Sequence, residues 1–197
     1  MQVWARQWAK QQPLIGGLLD NPLPSAGTVQ VTRYPQEVPA ECIIRDIATR
    51  MAQYATQFAR HPLIVETARR VVVSCAPKDA RCEVKRIYDF LKRHTRYVRE
   101  MPEVMSTPAK LMRDIYTYGV ASEDCESLTA LLASMLLALG HRVRFAFGSV
   151  AYGRPYHHVW LQVYVNGKWW DIDLSERLPI GYRRPFPKVA VTSHLGV

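Results

Sequence analysis

The segment HVWLQVYVNGKWWDIDL, residues 158–174, constrains this chain more than any other stretch. Asn-Gly is the dipeptide best suited to a two-residue hairpin turn, because both central residues of that turn need positive φ. With strand-like flanks on either side, Asn166-Gly167 predicts a hairpin in which Val165 faces Lys168, Trp160 faces Asp173 and His158 faces Ser175. Side chains alternate along a strand, so in a hairpin without a bulge His158, Trp160, Gln162 and Tyr164 share one face with Asp171 and Asp173. His157 points to the other face. His158 and Asp173 are then diagonal cross-strand neighbours, close enough for a carboxylate to reach an imidazole nitrogen.

The rest of the chain supplies helices ahead of this sheet. Of 197 residues, 48% are apolar and 22% charged, which suits one domain burying its own core without disulfide support. Residues 1–40, rich in Pro, Gly and Gln, read as an extended N-terminal arm with one strand-like stretch, TVQVTRY; residues 41–197 read as the folded domain. From Cys42 to Val73 the apolar spacing is helical, broken near His61 and Pro62. A further helix is predicted from about Arg81 to Val98, with Lys85, Arg86, Lys92, Arg93 and Arg96 largely off its apolar face. A loop containing Pro102 and Pro108 leads to a short helix, KLMRDIYTYG. In the next helix Leu128, Leu131, Leu132, Met135, Leu136 and Leu139 recur at helical spacing up to a stop at Gly140, which marks it as central and buried. Beyond Gly140 the period falls to two: Val143, Phe145 and Phe147 predict a half-buried strand, the hairpin follows, and KVAVTS adds another strand. Helices followed by an antiparallel sheet make an α+β fold.

The net charge of +9 favours acidic or anionic partners. Nucleic acid is not the expected one, since no aromatic platform or binding motif accompanies the basic residues. No apolar run approaches the ~20 residues of a membrane span, and PLIGGLL is followed at once by Asp20 and Pro22 rather than by a cleavage site. Cys42, Cys75, Cys82 and Cys125 have neither the number nor the spacing of a disulfide scaffold, and no Cys-x-x-Cys pair is present. Reduced thiols in a cytoplasmic setting are the simplest reading, with a local bridge between Cys75 and Cys82 as its alternative.

Cys125 stands in the first turn of the central helix, on its inward face, among Glu123, Asp124 and Glu126. Ser122 or Asp124 suits the N-cap, and acids suit the positive end of the helix dipole. A helix N-terminus and a nearby imidazolium lower a thiol pKa, whereas adjacent carboxylates raise it. If the Cys end of the helix packs against the sheet face carrying His158 and Asp173, a nucleophile, a base and a group orienting that base are assembled. Each residue taken singly has an ordinary explanation: a small core thiol, a satisfied histidine, an aspartate that begins a turn. A zinc site on Cys125, His158 and a carboxylate is chemically allowed but lacks an evident fourth ligand.

EDCESLTALLASMLLALGHRVRFAFG and HHVWLQVYVNGKWWDIDLS together resemble the core of the transglutaminase-like superfamily: a Cys opening a buried helix, a His-x-Trp strand, and a Trp-rich strand ending in Asp. The similarity is greatest to small single-domain cysteine proteases of that type from bacteria and phages. IYDFLKRHTRYVRE is similar to the helix and strand that precede the Cys motif there. The resemblance spans about residues 65–176 and implies a papain/transglutaminase-like core, with Cys125 as nucleophile, His158 as base and Asp173 as the residue orienting it. Trp160 matches the family's tryptophan beside the site, and Gln162 stands where relatives often carry Glu; both are candidate substrate-binding residues. Relatives often have Gly-Asp-Cys-Asp-Asp where this chain has Glu123-Asp124-Cys125-Glu126-Ser127.

The expected function is thiol acyl transfer: hydrolysis of a peptide or amide through a thioester. Transfer of the acyl group to an amine is the second enzymatic reading, and a non-catalytic assembly or binding protein on the same fold is the third. The expected partner is a protein or peptide substrate, with an anionic polymer or a phage structural protein as further candidates and virion association if the chain is phage-encoded. No cofactor or metal is implied, and no calcium-loop signature is present. Besides the Cys125 N–H, no oxyanion donor is assignable from the sequence.

Overall fold

The computed structural model describes residues 29–31, 39–99, 104–176 and 178–196. Of the arm expected over residues 1–40, these include residues 39–40, where the first helix starts, and β1 (Val29–Val31), which pairs antiparallel with β3 (Val104–Ser106); the rest of the arm lies outside them. The TVQVTRY stretch thus contributes one short strand. Its partner segment was read as loop.

Helix α1 (Ala40–Phe58) ends just before Pro62, as the proline requires. Helix α2 (Pro62–Val71) starts with that proline in its first turn, and the side chain of His61 caps it by accepting from the Leu63 N–H. Helix α3 (Ala80–His94) is shorter than its apolar spacing suggested: at Thr95 the backbone turns extended and enters β2 (Thr95–Tyr97), the helix-then-strand order that the family resemblance implied. The β2 strand pairs parallel with β4 (Ala121–Glu123), which follows α4 (Pro108–Tyr118) and its left-handed cap Gly119.

Helix α5 (Cys125–Ala138) is central, packed against the other four helices and against the sheet. Eleven of its side chains are buried, so it is apolar all round rather than amphipathic, as a core helix should be. The sheet is antiparallel in the order β7-β6-β5-β8, with β5 Val143–Ser149, β6 His158–Val165, β7 Lys168–Ile172 and β8 Lys188–Val191. The fold is α+β, as expected. The hairpin register is the predicted one, Val165↔Lys168 through Leu161↔Ile172, with Asn166 and Gly167 both at positive φ.

Two expectations need correction. The β5 strand is buried on both faces, not half-buried, because the segment before β8 folds back over it: Phe186 lies directly on Gly148, where an added Cβ would sit 2.5 Å from the ring. Cys75 and Cys82 form a disulfide that staples the turn between α2 and α3, so the alternative reading of these cysteines is the correct one, while Cys42 and Cys125 are free thiols. The turn that links the end of α2 at Val71 to the start of α3 at Ala80 brings the two residues to a Cα separation of 5.7 Å, within bonding geometry. No helix among the described residues is long and apolar enough to cross a membrane.

Candidate active site

Cys125 is the first residue of α5 and is 6% exposed. Asp124, not Ser122, is the N-cap, its side chain accepting from the Ser127 N–H at 3.0 Å. Glu123 is drawn back into β4, where it accepts from the Ser106 hydroxyl and lies 3.6 Å from Lys110 Nζ. The acids near the sulfur are therefore Asp124 and Glu126. Parallel pairing of β2 with β4, in the register Tyr97↔Glu123, sets Tyr97 beside the start of the helix.

The sheet meets this helix differently from the expected arrangement. The buried core unites Leu128, Leu131 and Leu132 of α5 with Val159, Leu161 and Val163 of β6, which is the face opposite His158. The start of the helix and the histidine instead face one cleft at the mouth of the strand. His158 is the first residue of β6, and its ring borders the same cleft, of about 360 Å³, as Cys125, Asp124, Glu126 and Tyr97. Thr129 Oγ donates to the Val159 carbonyl at 3.5 Å and ties the first turns of α5 to that strand end.

His158 Nε2 and Asp173 Oδ2 are 2.6 Å apart, the pair the hairpin register predicted. The other carboxylate oxygen of Asp173 accepts from the Ser175 N–H (2.9 Å), the Ser175 hydroxyl (2.6 Å) and the Glu176 N–H (3.2 Å). Burial, the largest single influence, pushes the Asp173 pKa up, but the His158 hydrogen bond and charge with these donors outweigh it and hold the group below the ordinary carboxylate value. The segment that carries the donors is itself anchored: Lys92 Nζ donates to the Leu174 and Glu176 carbonyls, and the Tyr88 hydroxyl donates to the Leu178 carbonyl. Lys92, expected largely off the apolar face of its helix, is thus half-buried and structural.

Trp160 and Gln162 do not line the cleft. Trp160 is 2% exposed; its ring stacks on His158 at 6.0 Å and on Phe186 at 5.5 Å, and its indole N–H donates to Asp171 Oδ1. Gln162 donates to the same oxygen and accepts from Arg144 Nε, closing a buried chain on the sheet face behind the imidazole. Phe186 also packs on His158, at 5.8 Å. Neither Phe186 nor Tyr97 was picked out from the sequence: each lies in a short or irregular segment whose place in the fold depends on long-range pairing.

The electrostatics around the sulfur favour the neutral thiol. The thiol donates to Glu126 Oε2 at 3.3 Å, and among the described residues this, not a bond to His158, is its side-chain partner. Burial is the main cause of a raised thiol pKa; the Glu126 charge adds to it, the Val159 backbone hydrogen bond opposes it, and Asp124 adds further. Asp124 is itself raised, by burial first and then by the charge of Glu126, against the Ser127 bond that lowers it. Among the described residues no group of three His, Cys, Asp or Glu side chains is placed to hold a metal ion.

A transglutaminase-like superfamily model matches residues 65–174, more than half of the chain, and the chain belongs to that family. Among solved structures, a candidate cysteine protease from Cytophaga hutchinsonii is 13% identical, with a TM-score of 0.46 over 81% of this chain and 55% of its own. A structure described as a TGase is 16% identical, with a TM-score of 0.39 over 78% of this chain and 37% of its own. The chain thus spans little more than half the length of the first and about a third of the second. No curated protein matches it.

Proposed function

We propose that the protein is a thiol acyl-transfer enzyme that hydrolyses peptide or amide bonds, with Cys125 as nucleophile, His158 as general base and acid, and Asp173 as its orienter. The observation that carries this reading is the division of the imidazole: Nε2 is held by an anchored carboxylate, which leaves Nδ1 as the nitrogen free to exchange a proton inside the cleft that Cys125 also lines. Asp173 favours the tautomer with hydrogen on Nε2 and stabilises the imidazolium formed later. Trp160, stacked on the ring, and Phe186, packed on it at a tilt, are positioning residues.

With the sulfur protonated at rest, the proton moves during attack. As Sγ bonds to the substrate carbonyl carbon, its hydrogen passes to His158 Nδ1 and the carbonyl π electrons go to oxygen. The Cys125 N–H, at the positive end of α5, suits that oxyanion. Collapse breaks the C–N bond, His158 returns the proton to the departing amine, and a thioester remains. Water then adds with the same base, and the acid product leaves as Sγ regains its hydrogen. An amine in place of water gives transamidation by the same steps.

A specific observation favours the non-catalytic reading too: Glu126 and burial together oppose a poised thiolate. Alkylation of Cys125 by iodoacetamide against pH, read by mass spectrometry, separates the two readings. The enzyme requires labelling in wild type that falls at least tenfold in His158→Ala. Equal labelling of the two, with an unshifted profile, establishes an ordinary buried thiol and a binding protein.

A further inference from the structure

The cleft does not end at the sulfur. A second cavity, of about 330 Å³, continues from the first and shares Tyr97, Arg99, His157 and His158 with it, but Cys125 borders only the first. The two ends differ in chemistry. Away from the acids Asp124 and Glu126 beside the sulfur, the first is walled by apolar groups, Ile43, Ile44 and Ile47 of α1 with Phe147, Pro155 and Tyr156. The second adds Arg184, Ser175 and Glu176 to the shared Arg99, which stands between the two ends. Glu176 Oε1 binds Arg184 Nη1 at 2.7 Å, so one carboxylate stands against two guanidiniums. Arg99 is exposed, with no ion pair among the described residues, and this end therefore keeps a positive excess.

Thiol chemistry gives the cleft a direction. The acyl half of the substrate stays bonded to sulfur, so it occupies the cavity that Cys125 borders. The amine half leaves with a proton from the imidazole, which borders both cavities, so with the acyl half kept at the sulfur it departs through the second, which Cys125 does not border.

We infer that the cleft takes a peptide with a bulky apolar residue on the acyl side of the reacting amide and a carboxylate on the amine side, held by Arg99 and Arg184. This rests on the proposed thiol chemistry for its direction. Guanidinium is the cation suited to such a partner, because its planar donors match a carboxylate in two-point contact. The carboxylate is either an acidic side chain or the free C-terminus of the leaving half. An amine-side residue with a basic side chain meets like charge and is rejected.

Binding to the full chain carrying Cys125→Ala, measured by fluorescence anisotropy with labelled short peptides, tests this without turnover. The probes place Leu before and Asp after the central amide; companions replace Asp by Asn, replace Asp by a free C-terminus, or replace Leu by Ser. The Asp probe should bind about tenfold more tightly than its C-terminally amidated Asn counterpart, and Arg99→Gln or Arg184→Gln should erase most of that difference. The free C-terminal probe tells the two carboxylate sources apart. Equal binding of the Asp and Asn probes with no gain from a free C-terminus, unchanged discrimination in both arginine variants, or no binding of any probe overturns the inference. Wild-type hydrolysis of the same peptides is scored separately: selective binding without cleavage refutes the proposed hydrolysis and leaves the charge-selective site standing.

Discussion

At the scale of the residue, burial first and the charge of Glu126 second favour the neutral thiol of Cys125, and the role proposed for His158 is to take its hydrogen. Glu126→Gln removes a negative charge beside a developing thiolate and keeps an acceptor for the thiol, so the Cys125 pKa should fall. The midpoint of its alkylation profile should move to lower pH by about one unit or more, measured by mass spectrometry across a pH series. Asp173 behaves oppositely. Its folded-state pKa is depressed, so the stability it contributes is present above the ordinary carboxylate value and disappears as pH falls through the lower folded value. Asp173→Asn should flatten that acid limb in thermal melts and reduce kcat by about 10²–10⁴ at neutral pH if the imidazole is the base. Both partners of this bond were legible in the sequence, since a two-residue turn leaves the register no freedom. Glu126 was legible as a neighbour, but its side-chain bond to the sulfur depends on a rotamer that no pattern encodes.

At the scale of the element, the first turn of α5 carries a cap and a charge on the same side chain, and two substitutions separate them. Asp124 has a raised folded-state pKa, so its carboxyl favours the folded state in acid, and that contribution is lost as pH rises from the ordinary carboxylate value through the raised one. Asp124→Asn keeps an acceptor for the Ser127 N–H without the charge and should raise Tm at neutral and alkaline pH. Asp124→Ala removes the cap and should cost about 1 kcal/mol, read by denaturant unfolding. On the sheet, Gly148→Ala would drive a methyl into the Phe186 ring; about 1–3 kcal/mol of stability should be lost, and kcat should fall as the imidazole loses its backing. The long, strongly periodic elements were readable because each buries a continuous stripe. The three-residue strands β1, β3 and β4 were not all found: the first was glimpsed as alternation, and the other two lack enough length to show a period at all. The end of α3 was set too late because Val98 continues the apolar spacing after the backbone has already become a strand.

At the scale of the whole molecule, the sequence order of helices then sheet gave the class of fold, but not the side of the sheet on which the central helix lies. Alternation states only which residues share a face. That α5 packs on Val159 while His158 turns to the cleft follows from where β6 begins, and the Pro-Tyr-His approach to the strand has no periodic signature. The covalent staple was likewise hidden, since seven residues of sequence separation are compatible with bonding or with none until the turn between α2 and α3 fixes the approach. Reducing it should lower stability by about 2–3 kcal/mol, the order expected for releasing so short a loop, as measured by unfolding with and without dithiothreitol; the Cys125 labelling rate should not change. This pairing of an oxidised clip with a sheltered free thiol bears on durability. Wherever oxidant is plentiful enough to keep the clip closed, an exposed thiolate would be spent on sulfenic acid or mixed disulfides. A sulfur that is buried and bonded to a carboxylate reacts slowly with such agents, so the chain should keep its single buried thiol titratable through prolonged storage in air without reductant.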